Sequence, residues 1–383
     1  MTLPTWSHCI PTLNRIDVLE QTVRLSVSQT CPPVEIIIVD ASDAAEAHRA
    51  RIEAIVATYD GPKPRLIYLH CPVKSLTRQR NIAINHASGD ILFLFDDDTL
   101  MFPDCAEQIV RTFAADIRGE IAAGMACNIP EPPGQVAVND DARKVSGAST
   151  KMKASRREKR VIAWIWDNIF MMSAPSHFIA YDTDRRLEQA DMVRIGPLHL
   201  LRVPLLSGFA IAVRASVARK EPFDESLLSY SPAEDLDASY RFARHGLNVL
   251  IETARVHHFE AAAGRIKRRQ AVTLGLMNLA TFVAKHSSNR RRDIPSYYLR
   301  YVRRLLAEFL KDGLSLRITF PQFRGALAAF LPSVAIFRHQ RAGFDDWYRS
   351  QQVRVLGWPS DSVQGTASRP ASSPFISQKG IRP

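Results

Sequence analysis

Three consecutive aspartates, Asp96, Asp97 and Asp98, follow directly on an apolar run, ILFLF (91–95). Adjacent carboxylates repel one another, and more strongly as water leaves, so stability alone does not favour three of them at the end of a buried strand. A hard divalent cation resolves the conflict, because Mg²⁺ and Mn²⁺ take carboxylate oxygen and commonly bridge a few protein oxygens to substrate phosphates. With period-two alternation continued past the strand, Asp96 and Asp98 point to one side and Asp97 to the other. Asp96 and Asp98 are therefore the expected metal ligands. Capping by Asp98 and Thr99 of a helix that starts near Pro103 is the competing reading, and it leaves Asp96 and Asp97 unexplained.

The elements around this triplet alternate. VEIIIVDAS (34–42), PRLIYLH (64–70) and ILFLF read as buried strands, while DVLEQTVRLSVSQ (17–29) and AAEAHRARIEAIVATY (44–59) show helical spacing of apolar residues. The pattern predicts a Rossmann-like α/β fold, a mainly parallel sheet with flanking helices. Ligands of such sheets collect beyond the carboxyl ends of the strands, where Asp40 and the aspartate triplet both fall. Prolines 130, 132 and 133, Gly134 and the basic run KMKASRREKR then break the pattern, and a mobile loop is expected over 128–160. A second unit runs through LLSGFAIAVRASV (205–217) to AEDLDASYRFARHGLNVLIE (233–252), with Gly246 placed to end a helix. Helices rich in arginine follow from 266 to about 350, and the composition after Gly357 predicts a disordered tail.

Charge divides along the chain. Of its 383 residues, 1–259 hold 29 Lys+Arg and 32 Asp+Glu, and 260–383 hold 21 and 7, so the whole net charge of +11 comes from the last third. Such asymmetry points to nucleic acid or to an anionic membrane surface. The five cysteines are odd in number and show no CxxC spacing, which argues against a disulfide framework or a zinc site and for reduced thiols. No secretory signal pattern opens the sequence, and GALAAFLPSVAIF (325–337) is too short to span a bilayer, so a cytoplasmic location is expected.

PTLNR (11–15), IIIVDAS, SLTRQRNIAINHASGDILFLFDDDT (75–99) and AEDLDASYRFARHG, in that order, resemble the family 2 glycosyltransferases of GT-A fold, over about residues 7 to 260. The resemblance implies inverting transfer of a hexosyl or deoxyhexosyl group from a nucleoside diphosphate sugar, with Mg²⁺ or Mn²⁺ as cofactor. It places Pro11, Thr12 and Asp40 at the nucleotide, with Asp40 accepting a hydrogen bond from the base. It sets Arg80, beside Arg78 and Asn81, near the diphosphate or ribose, where a guanidinium matches phosphate oxygens. Asp96 and Asp97 fall at the donor, and Gly208 under donor and acceptor sugars. Asp235, with Glu234 beside it, is the implied catalytic base. His257 is the implied histidine near the metal and the leaving diphosphate.

These readings divide the chain into a nucleotide-sugar-binding half (1–127), an acceptor and catalytic-base half (128–260), a basic amphipathic helical extension (261–356) and the tail (357–383). SYYLRYVRRLLAEFLKDGL (296–314) has the composition of an interfacial helix and equally of a core-packing one with a basic face. An interfacial helix would suit an enzyme held at the inner face of the cell membrane, acting on a saccharide or lipid-linked saccharide in cell-surface polysaccharide or glycolipid synthesis. QQVRV (351–355) stops short of the QxxRW element of polymer-threading synthases. A nucleic-acid- or membrane-binding scaffold with a catalytically silent fold is the competing class, although no nucleic-acid-binding signature supports it. A sugar nucleotidylyltransferase would need a glycine-rich phosphate loop that the segment around PTLNR lacks.

Overall fold

A computed structural model describes residues 3–134, 164–165, 170, 191–260, 266–339 and 342–359. Most of the expected basic loop and nearly all of the tail lie outside these residues. The first half alternates strand and helix: β1 (Trp6–Thr12), α1 (Ile16–Val27), β2 (Glu35–Asp40), α2 (Ala45–Thr58), β3 (Arg65–His70), α3 (Leu76–His86) and β4 (Ile91–Phe95). A short β5 (Thr99–Met101), α4 (Cys105–Ala115) and β6 (Ile121–Asn128) follow. After the undescribed stretch come β7 (Asp191–Ile195), β8 (Leu198–Arg202), β9 (Ala210–Arg214), α5 (Ala215–Lys220), α6 (Glu234–Phe242) and β10 (Leu247–His258). Five helices close the described chain: α7 (Arg268–His286), α8 (Arg290–Leu314), α9 (Pro321–Ala328), α10 (Phe330–Arg338) and α11 (Phe344–Leu356).

Nine strands lie in the order β3-β2-β1-β4-β9-β6-β10-β8-β7, with β5 paired to β10. The sheet is parallel from β3 to β4 and again between β6 and β10, and its other pairings are antiparallel. The expected α/β sheet with flanking helices is therefore present, mixed rather than parallel throughout its second half. Burial accounts for the apolar runs. Leu92 and Leu94 of β4 enter one core cluster while Ile91, Phe93 and Phe95 enter another on the opposite face, as a strand covered on both sides requires. β2 divides likewise, Ile37 and Val39 against Ile36 and Ile38. β3 differs from the expected buried strand: it is an edge, and of its six residues only Tyr68 is buried.

The C-terminal helices are welded to the sheet unit. One cluster joins Leu236 and Tyr240 of α6 with Met277 and Phe282 of α7, Tyr297 and Tyr301 of α8 and Tyr348 of α11. At the same junction Asp237 accepts from Arg241 at 2.7 Å and from His286 of α7 at 2.6 Å. Burial pushes the Asp237 carboxyl up, but the hydrogen bond from His286 and the Arg241 guanidinium outweigh it and bring it down to about 2. A depressed carboxylate contributes stability fully above its unfolded value, near 4, and loses it as pH falls towards 2. Asp237→Asn is expected to remove roughly 2 kcal/mol at pH 7 and only a few tenths of that unit at pH 2, as read from urea unfolding at the two pH values. Equal losses at both would contradict the ion-pair assignment.

Candidate active site

Register delivers the site. Pairing of Phe95 with Ala210 sets Phe209 beside Asp96, whose amide donates to the Phe209 carbonyl at 3.0 Å. Pairing of Thr99 with His258 brings the end of β10 to the aspartate triplet. Ligand atoms of Asp96, Asp98 and His258 lie within 4.8 Å of one another, and His258 Nε2 is 3.4 Å from Asp98 Oδ1. The Phe209 ring stacks on His258 at 4.4 Å, nearly parallel, and fixes the imidazole plane. Asp97 points away, as alternation predicts, accepting from Thr12 Oγ1 at 2.6 Å and Arg15 Nη1 at 3.0 Å. Arg15 also reaches Asp98 at 3.2 Å.

The histidine at the rim is thus His258, and His257 is corrected. The segment TARV (253–256) is a bulged part of β10, which runs through to His258. Counting from the strand end then places His258 on the aspartate side. His257 points the other way and donates through Nδ1 to the Ile129 carbonyl at 2.9 Å.

Two adjoining clefts share Leu76, Asp96 and Tyr230. Pro11, Thr12, Arg15, Lys74 and Asp97 line one, whereas Gly208, Phe209, Glu234, Asp235 and His258 line the other. The loop between them holds Ser229, Ser231 and Ala233 at φ of 62°, 48° and 69°, a conformation that costs on the order of 1 to 3 kcal/mol at each non-glycine residue. Bonds from the Ser229 amide to the Lys74 carbonyl and from the Leu76 amide to the Ser229 carbonyl, both 3.1 Å, hold it there.

Glu234 and Asp235 open α6 and take different roles. Arg80, wholly buried, donates to Glu234 Oε1 at 2.6 Å, Asp96 Oδ1 at 2.9 Å and the Gly208 carbonyl at 2.6 Å. Its guanidinium is therefore engaged inside the protein and does not face a diphosphate, a second correction. Burial pushes Glu234 up to about 8 against the pull of Arg80, and raises Asp96. Asp235 is half-buried on the cleft wall. Its carboxyl, raised by burial, accepts from the amides of Leu236 and Gly208. A side chain on Gly208 would place its Cβ 2.7 Å from Glu234 Oε1 and 3.3 Å from the Asp235 Cβ. The glycine thus makes room for the start of α6 itself.

Asp40 is a third correction. It is fully buried and accepts from the Ser42 amide at 2.8 Å, His48 Nδ1 at 3.0 Å and the Tyr68 hydroxyl at 2.7 Å, so both oxygens are engaged away from the cleft. Arg15, Phe209 and Tyr230 are site residues that the sequence reading did not single out. Arg15 stands inside PTLNR, and its signal was a lone cation directly behind a strand end.

The rim and its hydrogen-bonded neighbours set five carboxylates (Asp96, Asp97, Asp98, Glu234, Asp235) against two guanidiniums, Arg15 and Arg80. Burial pushes Asp97 up to about 7 even with Arg15 and Thr12 bonded to it. Two carboxylates and an imidazole converging on one point, in surplus negative charge, fit a divalent cation with oxygen preference.

Residues 7–174 match the family model described as Glycosyl transferase family 2. Of solved structures, that of GalNAc-T7 with UDP, GalNAc and Mn²⁺ superposes with a TM-score of 0.51 at 15% identity, over 87% of this chain. This chain spans 58% of that one, and the likeness defines a GT-A fold. The mannosyltransferase PcManGT from Pyrobaculum calidifontis, in complex with GDP-Man and Mn²⁺, matches at 13% identity with a TM-score of 0.46, over 88% of each chain. No curated protein matches the chain.

Proposed function

We propose that the protein is a divalent-metal-dependent, inverting glycosyltransferase that moves a sugar from a nucleoside diphosphate sugar to a saccharide or lipid-linked saccharide. The observation that carries this reading is the convergence of Asp96, Asp98 and His258 on the same cleft as the carboxylate of Asp235. The family 2 match supports it, as does the Mn²⁺ and UDP recorded for a GT-A neighbour.

Asp96, Asp98 and His258 would hold Mn²⁺ or Mg²⁺, which when bound neutralises charge building on a departing diphosphate. Pro11, Thr12 and the Lys74–Leu76 segment form the cleft for the nucleotide. A sugar hydroxyl attacks only as its proton leaves, and Asp235 receives that proton. The amides of Leu236 and Gly208 aim its carboxylate, and its raised pKa makes it a better acceptor. Arg80 acts one layer back, holding Glu234 and Asp96 in register. Attack from the face opposite the diphosphate inverts C1.

An anionic membrane surface is the proposed location, and α8 supports it. The helix buries its acidic residues Asp293, Glu308 and Asp312 and exposes Leu299, Val302, Leu306 and Phe309, an outward apolar stripe at helical spacing. Beyond it Leu316 and Ile318 are 87% and 91% exposed. Arginines 291, 303, 317 and 324 lie in the same segment, as in an interfacial helix. Among the described residues no helix is long and apolar enough to cross a membrane.

A panel of nucleoside diphosphate sugars, assayed for donor hydrolysis with and without Mn²⁺, tests the function. Metal-dependent turnover of one donor is expected. Indifference to every donor, with and without metal, would contradict it.

A further inference from the structure

Helices α7 and α8 each direct a helically spaced stripe into a shared cavity of about 360 Å³: Arg268, Val272, Gly275 and Leu279 from one, Tyr297, Arg300, Tyr301 and Arg304 from the other. Protein interiors are close-packed and leave few voids larger than a water molecule, whereas a space of this size is typical of small-molecule sites. The glycine keeps it open. Gly275 sits within α7, where a glycine costs stability relative to alanine, yet an added Cβ would meet only the Pro232 Cβ, at 3.7 Å. Packing therefore does not require glycine there.

The cavity shares wall residues with the site and with an apolar groove. Pro232 and Ala233 line both the cavity and the Asp235 cleft. Tyr301 lines both the cavity and a groove walled by Val302, Leu305, Leu327 and Phe330. The order from Asp235 outward is carboxylate, then arginines, then hydrocarbon, ending on the exposed apolar face of α8.

From this order we infer that the α7–α8 cavity is an acceptor subsite for the phosphate or diphosphate of a lipid-linked glycan, with the hydrocarbon in the neighbouring groove and the glycan end at Asp235. The inference rests on the glycosyltransferase reading and narrows its acceptor. Arg268, Arg300 and Arg304, the last paired with the buried Glu308, recognise the anionic linker by charge-assisted bonds. The apolar groove discriminates a lipid-borne phosphate from a free one.

Calorimetric titration of the full chain with farnesyl diphosphate, inorganic pyrophosphate and farnesol provides the test, with UDP and Mn²⁺ binding measured in parallel. Farnesyl diphosphate is expected to bind at least about tenfold more tightly than either half alone. Gly275→Leu should abolish that binding, and Arg268→Gln with Arg300→Gln should weaken it at least about tenfold, while UDP binding is retained as proof of folding. Equal affinity for pyrophosphate and farnesyl diphosphate, or binding unchanged in both variants, would overturn the subsite. Retained UDP binding with no farnesyl diphosphate binding would sink the subsite and leave the transferase reading standing.

Discussion

Asp235→Asn is expected to lower the rate of sugar transfer by about 10²- to 10⁴-fold, the usual loss when a general base is removed. Asparagine has the same shape and still accepts from the amides of Leu236 and Gly208, which now position the carboxylate. The fold and the cleft on the Thr12 side should therefore survive. Donor KM should stay within about twofold while kcat collapses, since an interaction made only in the transition state is lost. Glu234 offers the contrast. One of its oxygens is held by Arg80 and the other, buried, has no hydrogen-bond partner among the described residues, so Glu234→Gln should act through stability as well as rate. A kcat for Asp235→Asn near that of the parent, with Glu234→Gln inactive yet stably folded, would transfer the base role to Glu234.

Arg80→Met should destabilise the protein by about 3 to 5 kcal/mol, because removing one member of a buried ion-pair network strands the others. Here the stranded groups are Glu234 and Asp96, together with the Gly208 carbonyl. Burial already raises both carboxyls, and the loss of the guanidinium raises them further. A carboxyl held above its unfolded pKa is tolerated while protonated and penalised once pH passes upward through its unfolded value. Because Glu234 already sits at about 8 in the parent, that group penalises parent and variant alike below this value, and its share of the deficit should open as pH rises above 8 in urea unfolding. Arg80→Met combined with Glu234→Gln should recover part of it. A deficit that is small and independent of pH would mean that Arg80 serves a ligand after all.

The sequence carried the frame of this site better than its wiring. The triplet after ILFLF was legible because β4 is covered on both faces, which makes its apolar run continuous and its polar end abrupt. Alternation alone assigned Asp96 and Asp98 to one side and Asp97 to the other, as the geometry has it. β1 went unread as a strand because WSHCIPT is half polar, although Ser7 and His8 are buried, His8 held by a bond to Ser26 at 2.9 Å. The histidine was misplaced by one residue because the resemblance marks the place of a histidine without separating two adjacent ones, which an extended strand turns to opposite faces. Arg80 and Asp40 illustrate a different limit. A motif marks a residue as placed near a ligand, yet only the fold reveals that each is engaged by neighbours up to 154 residues away. Likewise the cavity between α7 and α8 arises where two separate stripes meet, and neither stripe alone differs from an ordinary core-facing one.

Anomalous scattering from crystals grown with UDP and Mn²⁺ tests the central claim most directly. The account predicts a manganese peak bounded by Asp96, Asp98 and His258, lost in Asp98→Asn and unaffected by His257→Ala. A bound nucleotide with no peak at that rim, or a peak ligated by His257, would contradict it.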